Sequence, residues 1–471
     1  MADFTLEELA AATKGRLLRG EPGKTVHGLT IDSRRIEPGQ LFLALKGERF
    51  DGHDFISAAL AGGARAVVLD DEGRFDEEQF RVYPDPGVIL VPDSQEALGA
   101  IARFHRDRFQ IPVIAVTGSN GKTTTKDLVA AILAQEWPII KTEANFNNEI
   151  GLPLTLLKID QTTRAAVVEM GMRGLGQIRH LCGIARPEMG IVTNVGLSHL
   201  ELLGSQENIA RAKAELIEAL PGTGLAVLNG DDPYVRAMTR KRQSDGGLRT
   251  VRYGIDGPEL DYRADKYRVI ENGSSFRLVY PKGSFEVTLP IPGRHNVLNA
   301  LAAIALAKEL GFSDTAIRKG LANPGLTEKR LNRIECRGFT IIDDTYNASP
   351  ASVRAAIDVL CSLPNRNRRF AVLSDMLELG TTAASSHREI GTYAAERGID
   401  HLFAWGDLAL EYTSGMNDVN PGKAAFFTSK SALVAELKSC LKPGDAVLVK
   451  GSRSMKMEEV VKALSGEGTE G

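Results

Sequence analysis

The sequence predicts a three-domain α/β protein, and three observations lead there. Its 471 residues, at about 150 per domain, suggest roughly three domains. Strand, glycine turn and helix recur along the chain, and the strands are continuous apolar runs of the kind that a parallel sheet covered on both faces requires. Glycine supplies 47 residues, about a tenth of the chain against a usual share of roughly 7%, as many tight strand-to-helix turns demand.

Taken in order, residues 1–106 carry short apolar runs at 41–45 and 66–69 beside a helical stretch at 55–61, which predicts a small N-terminal α/β domain. Over 107–328 the strand–turn–helix unit repeats: strand 112–117 with helix 122–135, strand 165–170 with helix 177–182, strand 189–193 with helix 206–220. These units predict a central parallel-sheet domain. Between 262 and 290 the texture becomes period two, as in Phe276-Arg277-Leu278-Val279-Tyr280, and predicts a β-hairpin excursion joined at 281–283. Over 329–471, strands near 339–343, 369–374, 401–405 and 446–450 alternate with helical material and predict a C-terminal Rossmann-like α/β domain.

Composition excludes several functions. Lys+Arg 57 against Asp+Glu 60 gives a net charge of -3, and no run of like charge forms a nucleic-acid arm, so no nucleic-acid partner is expected. The opening residues 1–8 are acidic where a secretory leader needs a basic region, and no apolar stretch reaches 18 residues. Cys182, Cys336, Cys361 and Cys440 are scattered without a CxxC pair, which fits reduced thiols. A cytoplasmic protein without membrane insertion is expected.

The strongest chemical signal is Val116-Thr117-Gly118-Ser119-Asn120-Gly121-Lys122-Thr123-Thr124-Thr125, directly after an apolar strand and opening a helix. Gly118 and Gly121 let backbone N–H groups approach phosphate oxygens, the helix N-terminus adds about half a positive charge, and Lys122 adds a full one. Ser119, Asn120 and Thr124 complete the loop, and the Thr123 hydroxyl is placed to ligate Mg²⁺. A strict Walker A loop needs glycine where this chain has Val116, so the loop is a compact variant.

Ligands of a parallel α/β sheet gather outside the carboxyl ends of its strands. Glu169 closes the strand 165–170, where a carboxylate serves either as a Mg²⁺ ligand beside ATP phosphates or as a cap or salt-bridge partner. His199 lies in the loop after the next strand; such residues are usually surface hydrogen-bonders, and imidazole is a poor first choice for hard Mg²⁺. Lys213 sits on or beside the apolar stripe Ile209, Ala212, Leu216, Ile217 and Leu220, which leaves open a snorkelling lysine or a functional one.

Further ordered motifs include Asp32-Ser33-Arg34, Asp51-Gly52-His53, Asn145-Phe146-Asn147-Asn148-Glu149, Gly293-Arg294-His295-Asn296, Asp343-Asp344-Thr345-Tyr346-Asn347 and Lys450-Gly451-Ser452-Arg453. With the phosphate loop, Glu169-Met170-Gly171 and Asn194-Val195-Gly196, they span almost the whole chain, which resembles the ATP-dependent muramyl ligases of peptidoglycan synthesis.

The resemblance implies that Gly118, Ser119, Asn120, Gly121, Lys122, Thr123 and Thr124 bind ATP. It implies that Thr123, Glu169, His199 and Lys213 serve Mg²⁺ sites, with Lys213 carried as a carbamate. Asn296 is expected at adenine, and Arg333 and Asp344 are expected to reach ATP from the third domain. Ser33 and Arg34 fall to the uridine diphosphate end of a sugar nucleotide, and Asn145, Asn147 and Asn148 to the neighbouring substrate groove.

Within the family, 339–350 and Asp375-Met376-Leu377-Glu378-Leu379-Gly380 resemble the branch that adds a dipeptide, and the Asp-Asn-Pro-Arg signature of the diaminopimelate-adding branch is absent. Ser374 stands where that branch has glycine. The implied reaction joins D-alanyl-D-alanine to UDP-N-acetylmuramoyl-tripeptide through an acyl phosphate, with ATP cleaved to ADP and phosphate by a monomeric enzyme. A folylpolyglutamate-type ligase fits less well for want of a nucleotide-sugar domain, and a GTPase switch for want of an Asn-Lys-x-Asp segment.

Overall fold

Alternate residues of the central strands face opposite helical layers, and this two-sided burial is why those strands read as unbroken apolar runs. The computed structural model describes residues 2–238, 247–271, 273–327, 331–363 and 367–466. Its central sheet runs, from one edge, through Ile139–Lys141, Ala165–Glu169, Val113–Thr117, Met189–Val192, Leu225–Asn229, Arg249–Gly254 and Tyr262–Ile270, all parallel. Ile114 and Val116 face one layer, which includes the helices Lys122–Leu133, Arg294–Glu309 and Asp314–Ala322. Val113 and Ala115 face the other, which includes Gln177–Ala185 and Gln206–Ala219.

Two antiparallel strands, Gly273–Tyr280 and Gly283–Leu289, complete this sheet. The period-two segment is therefore a continuation of the central sheet and not an excursion from it. Phe276, Leu278, Phe285 and Val287 bury one face in the same core as Ile317 and Leu321, while the alternate residues stay wetter. The apolar helix Arg294–Glu309 is enclosed by this layer, and among the described residues no helix is long and apolar enough to cross a membrane.

The N-terminal sheet runs Arg16–Arg19, Gly87–Leu90, Ala66–Leu69, Leu41–Leu43 and Leu29–Thr30, parallel except for its first pair. One face has its own cluster around Phe42, Ile56 and Phe80. The other merges with the central domain: Phe4, Leu9, Leu98 and Ile101 share a core with Leu152, Ile178 and Ile184.

The third sheet runs Asn332–Cys336, Phe339–Asp344, Ala446–Lys450, Arg369–Ser374, His401–Trp405 and Ala424–Phe427, parallel except for its first pair. Separate clusters cover its two faces, the doubly wound arrangement expected of the C-terminal region. Asn332–Cys336 and Ala424–Phe427 were not evident from sequence. Both are edge strands with few buried residues, so neither carries a strong apolar run.

Candidate functional site

A cleft of about 1560 Å³ lies where the carboxyl ends of the central strands face those of the third sheet. Thr117 and Glu169 end two central strands on one wall, and Asp344 and Lys450 end two strands on the other.

The phosphate loop forms the floor. Gly118 and Gly121 have φ of +148° and +82°, and a side chain on either would collide with Thr193 Oγ1 or Asn299 Oδ1. The loop is pinned from the adjoining strand end: Asn194 O accepts from the Ser119 N–H at 2.9 Å, Asn194 Oδ1 accepts from the Asn120 N–H at 2.9 Å, and Thr193 Oγ1 donates to Asn120 O at 2.6 Å. Lys122 Nζ curls back to donate to Gly118 O at 2.8 Å. Asp93 caps the helix Ser94–Arg106 and Ser205 caps Gln206–Ala219, but Gly121 places no side chain on the helix Lys122–Leu133. The first-turn N–H groups of that helix suit an anion.

At the edge of the loop, Thr123 Oγ1 donates to Glu169 Oε2 at 2.7 Å, and Asn147 Nδ2 donates to Glu169 Oε1 at 2.8 Å. Glu169 is buried, and its own N–H donates to Thr142 Oγ1 at 3.0 Å. Two hard oxygen donors beside a phosphate-binding turn suit Mg²⁺, which takes one or two protein ligands and fills its octahedron with phosphate and water. Asn147 thus sits against the candidate metal carboxylate, while Asn148 Oδ1 accepts from the Gly151 N–H at 2.9 Å and Asn145 lies exposed on the same rim.

His199 and Lys213 complete the central wall. His199 Nδ1 lies 2.5 Å from Glu378 Oε2 of the third domain; burial pushes the imidazole pKa down, against the pull of Glu378, and Lys122 and Lys213 push it further. Lys213 is wholly buried with no hydrogen-bond or ion-pair partner among the described residues. Burial drives its pKa well below the ordinary lysine value, and the nearby Lys122 cation adds to this. The side chain is buried and lines the cleft, and it is not a snorkelling lysine.

The third domain supplies Asp344, whose carboxylate pairs with Lys450 Nζ at 2.5 Å. Lys450 Nζ also donates to Asn347 O at 2.8 Å, and Ser349 Oγ donates to Asn120 Oδ1 at 2.9 Å, so this domain touches the phosphate loop directly. Asn296 lines the cleft, but its amide donates to Pro292 O and its oxygen accepts from Asn299. Arg333 does not line the cleft: it lies on the edge strand with its guanidinium on Glu335 at 2.7 Å. Ser33 and Arg34 lie away from it too, on a short turn where Arg34 pairs with Asp32 at 2.8 Å. Glu378 and Lys450 were missed as site residues. Their signal was position, since each follows or ends a strand at the carboxyl edge of the third sheet.

This fold and this cleft define a nucleotide-dependent ligase architecture, and the comparisons agree. Residues 25–106 match the Mur ligase family catalytic domain, 116–307 the Mur ligase middle domain, and 329–453 the Mur ligase glutamate ligase domain. The chain belongs to the Mur ligase family. It is 39% identical to the UDP-N-acetylmuramoyl-tripeptide–D-alanyl-D-alanine ligase of Bacillus subtilis (strain 168), over 98% of this chain and 99% of that one. Among solved structures it is similar to MurF from Acinetobacter baumannii, at TM-score 0.89 and 32% identity over 99% of this chain and 100% of that one. It is also similar to the MurF ligase of Thermotoga maritima in complex with ADP, at TM-score 0.81 and 30% identity over 94% and 98%.

Proposed function

We propose that the chain is an ATP-dependent amide-bond ligase that joins D-alanyl-D-alanine to UDP-N-acetylmuramoyl-tripeptide in the cytoplasm, as a monomer, for peptidoglycan precursor synthesis. The observation that carries the reading is a phosphate loop whose Thr123–Glu169 oxygen pair and buried Lys213 face a second domain across one cleft. The names of full-length relatives support the choice of substrates.

A carboxylate is a poor electrophile and must be activated. The tripeptide carboxylate oxygen attacks the γ-phosphorus of ATP, the bond to ADP breaks, and an acyl phosphate forms. The free amine of D-alanyl-D-alanine then attacks the acyl carbon, phosphate departs with the bonding pair, and the amine proton is lost. Lys122 and the loop N–H groups hold the phosphates and offset repulsion between the two anions. Thr123, Glu169 and His199 would hold Mg²⁺, which supplies charge neutralisation at the transferred phosphoryl group. Lys213, whose burial favours the unprotonated amine, can add CO2 with release of a proton to give a carbamate anion facing those groups, which reconciles a lysine with this position. Ser349 brings the third domain against the loop, with Lys450 bracing Asn347 behind it, and that domain would shield the acyl phosphate from water.

In this reading residues 1–106 bind the sugar nucleotide through Ser33 and Arg34, residues 107–328 carry the ATP chemistry, and residues 329–471 close on it with Asp344. Asn145, Asn147 and Asn148 form the groove toward the tripeptide, and Asn296 borders the adenine end. Arg333 would need to leave Glu335 to reach ATP.

The test is ADP release by purified protein with Mg²⁺ and ATP, adding each substrate alone and then both. Release that requires both, with a product heavier by the dipeptide less water, is expected. Turnover indifferent to either would instead mark a nucleotide switch.

A further inference from the structure

The chain passes from the central to the third domain between Thr327 and Leu331, and a carboxylate grips it at each end. On the near side Asp127, only 1% exposed on the phosphate-loop helix Lys122–Leu133, accepts through Oδ2 from the Thr327 N–H at 2.9 Å and from Thr327 Oγ1 at 2.8 Å. On the far side Asp344 Oδ1 accepts from the Leu331 N–H at 3.3 Å. Asp127 Oδ1 faces two lysines, Lys141 Nζ at 2.7 Å and Lys126 Nζ at 3.3 Å. Lys126 is fully buried and also donates to Thr142 O at 2.7 Å, and Thr142 Oγ1 is the acceptor for the Glu169 N–H.

Stability is a poor account of this arrangement, because replacing a buried ion pair by apolar side chains of similar size is often neutral or stabilising. The lysines use one oxygen of Asp127, while the other is committed to a single residue 200 positions later. The effect of that commitment is mechanical. The helix Asp314–Ala322 already lies against Lys122–Leu133, where a side chain on Gly320 would run into Ile132. Without the Asp127 bonds, firm attachment retreats toward Ala322, the end of that helix. An extended chain spans at most about 3.5 Å per residue, so the bonds to Thr327 cut the reach of Leu331, and of Asp344 bound to it, from as much as ~31 Å to about 14 Å.

We propose that Asp127 is a positioning residue for ligation: by pinning Thr327 to the phosphate-loop helix, it fixes where the third domain delivers Asp344, Lys450 and Ser349 opposite the loop. This rests on the ligase reading above. The effective concentration of a tethered group falls roughly as the −3/2 power of tether length or more steeply, so losing the pin lowers the docked population about 3–10-fold.

The test compares Asp127→Asn, Thr327→Val and the double variant with the parent. Asp127→Asn should lower kcat about 3–10-fold while KM for ATP stays within about threefold, because the loop itself is untouched. Thr327→Val removes only the hydroxyl and should lower kcat by less, and Thr327→Ser should keep the parental value. The double variant should be no slower than Asp127→Asn, since both changes cut the same link. A role in stability alone would lower the Tm and leave kcat well below the Tm unchanged. Small-angle scattering of the full chain reads domain placement without turnover, and its interdomain distances should be broader in Asp127→Asn than in the parent. If Asp127→Asn does not fold, Thr327→Val, at a half-buried position, decides by the same two readouts. Parental kcat with a parental scattering profile, or additive effects in the double variant, would overturn the proposal. A parent that fails to ligate, with scattering still broadened by Asp127→Asn, sinks the ligase reading and leaves the pin standing.

Discussion

Thr123 Oγ1 and Glu169 Oε2 are 2.7 Å apart, which ties the first turn of the phosphate-loop helix to the end of the neighbouring strand. Glu169 also accepts from Asn147 Nδ2, so its carboxylate is fully oriented before any ligand arrives. Replacing it with Gln preserves shape and removes charge. Glu169→Gln is expected to lower kcat by about 100-fold, equivalent to ~3 kcal/mol of lost transition-state stabilisation. The Mg²⁺ concentration needed for half-maximal ADP release should rise as well, and circular dichroism melting should change little. An unaltered Mg²⁺ dependence would remove Glu169 from the metal site.

Lys213 is buried without a partner among the described residues, which costs stability. This burial lowers the affinity of the amine for its proton in the fold but not in the unfolded chain, so the unfolded state binds more protons over the window between the two pKa values. Stability from this group therefore rises with pH from its depressed folded pKa up to the ordinary lysine value, with a limiting slope of ~1.4 kcal/mol per unit. Lys213→Met should remove that slope, stabilise the protein at pH 7 by about 1–3 kcal/mol, and abolish ligation. Urea midpoints at pH 7 and pH 9 in CO2-free buffer, compared with the parent, measure the first two effects. A destabilised Lys213→Met would mean that the lysine is held by contacts that methionine cannot replace.

What sequence made legible here was local. The phosphate loop could be read because its glycines, lysine and hydroxyls are consecutive, and the central strands because burial on both faces leaves continuous apolar runs. Lys213 could be singled out because helical spacing places it in an apolar stripe. Glu378 could not, since its place in the cleft beside His199, 179 positions earlier, depends on a docked domain whose placement no local pattern encodes. Arg333 shows the converse: it entered only through the family resemblance, and its edge-strand position pairs it with Glu335. The hairpin at 273–289 was visible as alternation, but its membership of the central sheet is set by pairing through Tyr262–Ile270.

His295 offers a pH signature at the same interface. It is half-buried at the start of the helix Arg294–Glu309, lining the cleft, and desolvation there lowers its pKa to about 4, with Asp344 and Asp358 pulling upward and Lys450 downward. The ring is neutral in the fold, while the unfolded chain protonates it near pH 6.5. Its contribution is complete above that value and lost as pH falls from 6.5 toward 4, a change of roughly 3 kcal/mol at most. His295→Gln should flatten the stability profile across this window. Denaturant midpoints at pH 7 and pH 5 would show it, and equal acid sensitivity in both proteins would assign the effect to His387 or another buried imidazole.

The N-terminal and central sheets should melt together, because Arg106 joins them by bonds that water cannot replace. Its side chain is almost wholly buried: Nε donates to Ala185 O at 3.1 Å, one terminal nitrogen to Phe109 O at 2.8 Å, and the other to Ile111 O at 3.2 Å and Glu188 Oε1 at 2.7 Å. Glu188 Oε2 in turn accepts from the Val113 N–H at 2.7 Å, at the start of the strand that leads into the phosphate loop. Removing the guanidinium strips a partner from three carbonyls and from one oxygen of Glu188, which keeps the Val113 N–H and part of its solvation, so Arg106→Met is expected to cost about 2–3 kcal/mol. Lys would restore charge but not the fork, and should recover less than half of that loss. In calorimetry the parent should give one transition for these two regions. Arg106→Met should lower the Tm and slow ligation through a displaced loop strand; a small, purely local loss would mean that the shared apolar core alone holds the two sheets together.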